Sequence, residues 1–378
     1  MMKRIFCIFT AFCIIMLTSC ASKNDVRFSD LNITGNMPLQ YADQFSVDYY
    51  DGGYSLITIG KDKYLLVPPD GEIPENKGDI TIIKQPVDNI YLAASSAMDL
   101  FDGFDGLDFI AMTSTDSSGW SLPNIVAAIE NGDITYIGKY NMPDYEALLE
   151  CDCGLAIEST MIYHNPETGE KIQQLGIPVL VERSSYESHP LGRMEWIKLY
   201  GLLVGKYDEA EKYFIEKTAD FAALSKQDTC SENKKTVAFF YISSNGYVNI
   251  RKPGDYISKM IELAGGEYIF NANDLNVYDD ELSTMNIQIE KFYELAKNAD
   301  IIIYNGTIEG RLDNIQQLVD KCSILSDFKA VKEGNVWFTE QNLFQQMTGA
   351  ADMIIDMNRI FSSEADEIQC LTYMHKLY

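Results

Sequence analysis

The chain has 378 residues, of which 46% are hydrophobic and 12% aromatic, and its formal net charge is −26. This composition supports sizeable hydrophobic cores and excludes a disordered chain, while the length exceeds what one core usually organises and favours two lobes. The strong negative charge repels nucleic acid and anionic lipid, so we expect no nucleic-acid partner.

The chain begins with the pattern of an export signal. Two cations precede a largely apolar run over residues 5–17, which is too short to anchor a chain across a bilayer. The run leads into the sequence LTSC over residues 17–20, which resembles a bacterial lipobox. We therefore predict a signal peptide over residues 1–19, lipidation of Cys20 and a lipidated tether over residues 20–43, which together place the protein on the extracytoplasmic face of the cell membrane. The alternative is an ordinary signal peptide with an incidental cysteine.

Residues 44–190 are predicted to form an N-terminal α/β lobe. It opens with short runs of β-branched and aromatic residues, and the turn signal Asp51-Gly52-Gly53 predicts a β-hairpin. From residue 89 onward, short apolar runs alternate with amphipathic segments, which is typical of a parallel sheet covered by helices. The predicted strands are 45–50, 54–59, 64–67, 80–83, 90–94, 109–112, 134–137, 154–157 and 177–181. The predicted helices are 97–104, 125–131, 144–150 and 168–175.

A linking helix is predicted over residues 191–228, and a second α/β lobe over residues 229–378. Apolar residues keep a helical spacing from Leu191 to Leu224 without a proline, and a single helix of that length would measure about 50 Å. Gly205-Lys206 is a candidate interruption. The C-terminal lobe repeats the alternation, with strands at 237–242, 301–304 and 336–338 and helices at 257–264, 289–297, 315–322 and 350–361. The fold class is thus α/β, with two Rossmann-like lobes joined by one long helix and an N-terminal β-hairpin region.

Three segments within this order carry a family resemblance. They read PDYEALL over residues 143–149, PLGRMEWI over residues 190–197 and AVKEGNVW over residues 330–337. In this order, over residues 44–378, they resemble the class III (cluster A) substrate-binding proteins of ABC importers. The family's usual Pro-Asp is replaced by Cys153-Gly154. The resemblance implies a substrate-binding lipoprotein that captures an iron–siderophore complex, haem or cobalamin between its lobes and passes it to an ABC permease and its ATPase.

Candidate ligand-binding residues lie in or beside the loops that follow the predicted strands. Ligands of open α/β sheets bind at the carboxyl ends of strands, and rigid aromatic rings suit a large planar or chelate ligand. A neutral imidazole could ligate a haem iron or a cobalt, although a surface or hydrogen-bonding histidine is the alternative. A cation could meet a ligand carboxylate, or it could simply be solvated. The candidates are Trp120, Tyr163, His164, Tyr186, His189, Tyr247, Arg251, Tyr304 and Phe344.

The resemblance also implies one acidic residue on each lobe that docks on the permease. Glu146 matches this position in the N-terminal lobe, although an acid in the first turn of a helix is also favoured by the helix dipole. In the C-terminal lobe, Gln345 or Gln346 stands where a glutamate is expected, and Glu340 is the nearby acid.

Enzyme motifs are missing from the sequence. We find no G-x-S-x-G, H-E-x-x-H, Walker A or G-x-G-x-x-G pattern. We therefore predict that the protein is not an enzyme and has neither a metal site nor a cofactor of its own. The alternative function is that of a surface scaffold or adhesion lipoprotein that kept the fold without transport.

Overall fold

The computed structural model describes residues 27–75, 78–225, 234–280, 282–362 and 371–378. The predicted signal peptide and the predicted lipidation site at Cys20 lie outside these residues. No helix within the described part of the chain is long and apolar enough to cross a membrane.

The chain first forms a five-stranded sheet. Strands β1 to β4 pair as antiparallel neighbours, and β5 adds in parallel to β4. The turn after β2 holds Gly52 and Gly53 at φ of 71° and 82°, a conformation that favours glycine. The hairpin predicted here is confirmed. The strands are β1 (Ile33–Asn36), β2 (Phe45–Tyr50), β3 (Ser55–Ile59), β4 (Asp62–Val67) and β5 (Thr81–Lys84).

The segment predicted as a tether is folded from Arg27 onward. Besides forming β1, it continues into an N-terminal strap, residues 37–44, that crosses the body of the protein. Backbone N–H groups of Gln40, Tyr41 and Ala42 donate to the carboxylate of Glu195 over 2.8–3.0 Å. The buried carboxylate of Glu187 likewise accepts the N–H groups of Asp43 and Gln44 over 2.9 and 3.1 Å. A tether over residues 20–43 is therefore wrong for the described part of that range, because Glu195 and Glu187 hold the strap.

The N-terminal lobe is built on a five-stranded sheet in which all neighbours are parallel, in the order β10-β9-β6-β7-β8. Apart from the exposed edge strand β8, its strands are mostly apolar and buried, as expected for a sheet covered on both faces. The strands are β6 (Ile90–Leu92), β7 (Ile110–Thr113), β8 (Thr135–Tyr136), β9 (Ala156–Ser159) and β10 (Val179–Glu182). The helices are α1 (Ser95–Gly103), α2 (Pro123–Asn131), α3 (Tyr145–Glu150) and α4 (Pro166–Gln174).

The connection between the lobes is a helical hairpin. The helices α5 (Pro190–Leu203) and α6 (Tyr207–Leu224) flank a turn in which Gly205 has φ 75°. They run antiparallel, because the His189 ring before α5 lies 6.4 Å from that of Phe221 near the end of α6. The predicted single helix over residues 191–228 is thus wrong in its continuity, and the interruption lies at the predicted Gly205-Lys206.

The C-terminal lobe holds a seven-stranded mixed sheet. Its order is β14-β12-β11-β15-β16-β17, and β13 pairs with the start of β11. The strands are β11 (Thr236–Ile242), β12 (Val248–Arg251), β13 (Glu267–Tyr268), β14 (Thr284–Ile287), β15 (Ile301–Tyr304), β16 (Val336–Thr339) and β17 (Met374–Lys376). The helices are α7 (Tyr256–Leu263), α8 (Ala272–Leu275), α9 (Ile289–Ala296), α10 (Gly306–Glu309), α11 (Ile315–Lys321), α12 (Lys329–Lys332) and α13 (Ala350–Ser362). The predicted class, two α/β lobes preceded by a hairpin region, is confirmed.

The helical hairpin belongs to both hydrophobic cores. Leu191 and Phe221, at its open end, pack in the core of the C-terminal lobe. Met194 and Phe214, farther along the two helices, pack in the core that lies between the N-terminal lobe and the five-stranded sheet. The hairpin therefore fixes the position of one lobe relative to the other.

Candidate ligand cleft between the lobes

A cavity of about 520 Å³ lies between the two lobes. The N-terminal lobe contributes the loops after β9 and β10, α5 contributes one arginine, and the C-terminal lobe contributes the end of β12 and the start of α7. The described residues that line it are Thr160, Ser185, Tyr186, Arg193, Arg251, Asp255, Tyr256, Leu282, Ser283 and Phe344.

A second cavity of about 490 Å³ adjoins the first and shares Thr160 and Ser185 with it. It lies at the carboxyl ends of β6, β7, β9 and β10, the edge at which parallel sheets bind ligands. Its wall is rich in hydroxyl groups, which come from Ser95, Ser96, Ser114, Thr115, Ser159, Thr160, Ser185 and Tyr140. The two cavities together form one cleft with a hydroxyl-rich wall and an arginine-bearing wall.

Two arginines and two aromatic rings form the arginine-bearing wall. The Arg193 guanidinium carbon lies 3.9 Å from the ring centroid of Tyr256. The Arg251 guanidinium carbon lies 4.5 Å from the ring centroid of Phe344 and 5.9 Å from that of Tyr256. Such distances are those of cation–π contacts, which orient a guanidinium without using its N–H donors.

Asp255 is the carboxylate of this wall. It caps α7 by accepting the N–H of Ile257 over 3.0 Å, and one of its oxygens lies 3.6 Å from Nη1 of Arg251. Burial raises the pKa of Asp255, an effect that the charges of Arg251 and Arg193 oppose. Burial likewise raises the pKa of the Tyr256 phenol, so this ring is neutral in the physiological pH range.

The lobes also touch directly, beside the cleft. The side-chain amide of Gln345 donates to the carbonyl of Gly119 and accepts the N–H of Ser121, both over 2.7 Å. Nearby, the buried Asp99 accepts the N–H of Thr348 over 2.7 Å. Gln345, one of the two glutamines at the expected docking position, therefore joins the lobes.

Three of the predicted ligand-binding residues, Tyr186, Arg251 and Phe344, line the first cavity. Trp120 lines a separate cavity of about 690 Å³ between the lobes, together with Glu340. The indole N–H of Trp120 donates to the Thr115 carbonyl over 3.3 Å. The structure thus brings four of the nine candidates to the space between the lobes, and their role in binding stays a prediction.

Two of the candidates have structural roles. Tyr304 is fully buried in the core of the C-terminal lobe, and its hydroxyl lies 3.4 Å from the N–H of Ile242. His189 caps α5, because its Nδ1 accepts the N–H of Leu191 over 3.1 Å, and its ring stacks on Tyr41. Burial lowers the pKa of His189 to about 4. A neutral imidazole with Nδ1 accepting carries its proton on Nε2, which leaves no free lone pair for a metal. Both ligand-binding predictions are corrected.

The remaining three candidates do not line the interlobe cleft. Tyr163 lines a cavity of about 770 Å³ between the five-stranded sheet and the N-terminal lobe. His164 is exposed at the end of the short turn Thr160–His164. Tyr247 is 40% exposed, in the tight turn between β11 and β12. None of the three is among the described residues that line the two cavities of the cleft, and their role in ligand binding stays a prediction.

One docking candidate lies at the start of a helix, and the other directly after a strand. Glu146 is exposed in the first turn of α3, where its N–H is capped by Asp144 over 2.9 Å. Glu340 directly follows β16 and lies 2.9 Å from Nδ1 of His375. Their role in docking stays a prediction.

Sequence reasoning missed Arg193, Asp255 and Tyr256 as cleft residues. Arg193 lies in the PLGRMEWI segment, but only the placement of α5 between the lobes brings it to the cavity. Tyr256 has the pattern of an ordinary apolar helix residue. One signal was available: an arginine near the start of a mostly apolar helix has few uses other than a buried contact. Among the described residues, no group of three or more His, Cys, Asp or Glu side chains is arranged to hold a metal ion.

Comparisons with known proteins agree with this geometry. A family model described as "Periplasmic binding protein" matches residues 92–343, so the five-stranded sheet precedes the matched region. An uncharacterized lipoprotein of Methanocaldococcus jannaschii is 26% identical over 93% of this chain and 90% of its own length.

Three solved structures have similar folds. A periplasmic binding protein from Veillonella parvula has a TM-score of 0.58 and 15% identity, over 84% of this chain and 97% of its own. The haem-binding protein HutB of Vibrio cholerae has a TM-score of 0.55 and 16% identity, over 71% of this chain and 98% of its own. The catecholate-siderophore-binding protein VctP of Vibrio cholerae has a TM-score of 0.56 and 14% identity, over 73% and 94%. At these identities the likeness concerns the fold alone.

Proposed function

Because the chain belongs to the periplasmic binding protein family of ABC-importer substrate-binding proteins, we propose that it captures an iron complex (siderophore or haem) or cobalamin between its lobes. It then delivers this ligand to an ABC permease and its ATPase. Such a protein works by binding and release, without a chemical step.

The observation that carries the proposal is the interlobe cleft. Its first cavity, of about 520 Å³, has the size of a small-molecule site and lies where two α/β lobes meet. Aromatic, hydroxyl and guanidinium groups converge on it, and these contacts suit a chelate that has both flat apolar faces and polar oxygens.

The remaining parts of the proposal concern localisation at the membrane and docking on the permease. A lipid on Cys20 would hold the protein at the extracytoplasmic face of the membrane, in keeping with the lipoprotein of Methanocaldococcus jannaschii. Glu146 and Glu340 would pair with cations of the permease. The helical hairpin restrains the lobes, so we expect a small hinge movement on binding rather than a wide closure.

Calorimetry on the purified protein tests the ligand class. Haem, cobalamin and ferric siderophores are titrated into the wild type, into Ser185→Trp and into Ser326→Trp. Ser185 lines both cavities, whereas Ser326 is exposed in a turn that precedes α12. We expect binding of at least one of these ligands by the wild type and by Ser326→Trp, and its loss in Ser185→Trp. Failure to bind any of them, with tight binding of a sugar or peptide, refutes the proposal.

Uptake in cells tests delivery. Glu146→Lys should reduce import while leaving binding in solution unchanged, because the side chain is exposed and does not line the cleft. Unchanged import would contradict docking through Glu146 and favour the surface scaffold or adhesion lipoprotein.

A further inference from the structure

The first cavity is positively charged although the protein is strongly acidic. Its described lining contains two cations, Arg193 and Arg251, and one carboxylate, that of Asp255. The whole chain carries a formal net charge of −26. An excess of positive charge in one cleft of such a protein does not follow from its composition, and it attracts anionic ligands to that site.

Arg193 lines this cavity and has a buried hydrogen-bond donor without a partner among the described residues. The residue is only 8% exposed, and its buried Nε has no hydrogen-bond partner among the described residues. Buried donors are nearly always paired, and an unpaired one destabilises the protein. Stacking on Tyr256 holds the guanidinium in place but does not satisfy its N–H groups. Because Arg193 lines the cavity, its guanidinium is within reach of an anionic ligand bound there.

Arg251 is held through its backbone and by an aromatic ring. The hydroxyl of Tyr268 bonds to both its backbone N–H and its carbonyl, over 3.0 and 2.9 Å, and Phe344 lies under its guanidinium. The 3.6 Å separation from Asp255 is longer than a normal hydrogen bond. The Arg251 guanidinium is therefore oriented by its surroundings while it keeps donors for a ligand.

We propose that Arg193 and Arg251 select the ligand by its charge: the cleft takes a metal chelate with anionic oxygen donors, such as catecholate or carboxylate groups, in preference to a neutral chelate. The inference rests on the proposed function and narrows it. Each guanidinium group can donate two N–H bonds to such anionic oxygens. Its hydrogen bonds to the uncharged amides at the edge of a corrinoid would be weaker.

A pair of ferric complexes tests the inference directly. One is the ferric complex of a hexadentate tris-catecholate, which is triply negative, and the other is that of a hexadentate tris-hydroxamate, which is neutral. Both surround iron with six oxygens, so they differ chiefly in charge. We expect wild-type protein to bind the anionic complex at least about tenfold more tightly, and added salt to reduce this preference.

Variants locate the effect. Arg193→Gln and Arg251→Gln should each weaken binding of the anionic complex by roughly ten- to a hundredfold, with little change for the neutral complex. Arg251→Lys should retain part of the preference. The control, Lys212→Gln, removes one positive charge from a side chain that is 74% exposed on α6, and should change neither affinity.

The outcomes separate the inference from the proposed function. Equal affinity of the wild type for the two complexes, or equal loss of both in the arginine variants, overturns selection by charge while a binding function stands. If the wild type binds neither complex and none of the other chelates, the proposed function itself is wrong. The wild-type comparison holds even if an arginine variant fails to fold.

Discussion

Replacement of Glu195 by alanine tests how the N-terminal strap is held to the body of the protein. Glu195 is fully buried in α5, and its carboxylate accepts the N–H groups of Gln40, Tyr41 and Ala42. It also pairs with the ammonium group of Lys198, 2.8 Å away and equally buried. The substitution leaves three backbone donors without their acceptor and one buried cation without its anion, while the Lys198 ammonium still donates to the Pro38 carbonyl over 3.0 Å.

The expected loss of stability follows from these contacts. Each hydrogen bond to a charged group contributes about 1.5–3 kcal/mol, and such bonds to one carboxylate are not additive. Removal of one partner of a buried ion pair usually costs about 3–5 kcal/mol, because the remaining charge stays buried. We therefore expect Glu195→Ala to lower the free energy of unfolding by about 3–5 kcal/mol, a large part of the total of a typical domain.

Urea unfolding, followed by tryptophan fluorescence, measures this loss. Glu216→Ala is the matched control, since Glu216 and Lys212 are 65% and 74% exposed and 3.8 Å apart on α6, and an exposed pair contributes less than about 1 kcal/mol. Adding Lys198→Met to Glu195→Ala should restore part of the stability by removing the unpaired cation. A loss for Glu195→Ala no larger than that of the control would refute the reasoning.

Three further predictions concern the lobe contacts, pH and the helical hairpin. Gln345→Ala removes two 2.7 Å hydrogen bonds between the lobes, so we expect ligand to associate faster, as measured by stopped-flow fluorescence. An unchanged association rate would argue against a role of Gln345 in holding the lobes together. Burial raises the pKa of Asp99 to about 6, so stability present below pH 4 should be lost as the pH rises to 7, by up to about 3 kcal/mol. Asp99→Asn, which has no charge to bury, should not show this loss in urea unfolding, and parallel pH profiles would contradict the assignment. Gly201→Ala places a new Cβ 2.5 Å from the Cβ of Ala210, so it should lower the melting temperature. The control Gly169→Ala, whose new Cβ would lie 3.5 Å from its nearest neighbour, should not lower it. Equal melting temperatures of the two variants would show that the helices can separate at no cost.

The elements of the fold could be predicted where the pattern is local. Buried parallel strands such as β9 and β15 are short apolar runs between helices, and their existence follows from the sequence to within a few residues. The strand β14 was missed because its polar and half-exposed residues lack a clear alternation, and β12 because its alternation covers only four residues. They become strands only by pairing with β11 and with each other.

The cleft could be predicted only in part. Arg251 and Phe344 follow from the rule that loops after strands face the ligand, and both line the cavity. Tyr304 follows from the same rule but is wrong, because the last residue of a strand can point into the core as easily as into the cleft. His189 is wrong because its ring nitrogen caps a helix, a role that competes with metal binding.

The two α/β lobes, the hairpin region before them, the interruption near Gly205 and the family can all be predicted from the amino-acid sequence. These properties rest on periodicity, turn residues and short motifs, which act over a few neighbouring positions. Three features depend on tertiary packing: the strap is folded against Glu195, α5 and α6 form a hairpin, and Arg193 and Arg251 both lie near the ring of Tyr256. Such contacts join residues far apart in the chain, and their geometry depends on how whole elements pack rather than on any local pattern.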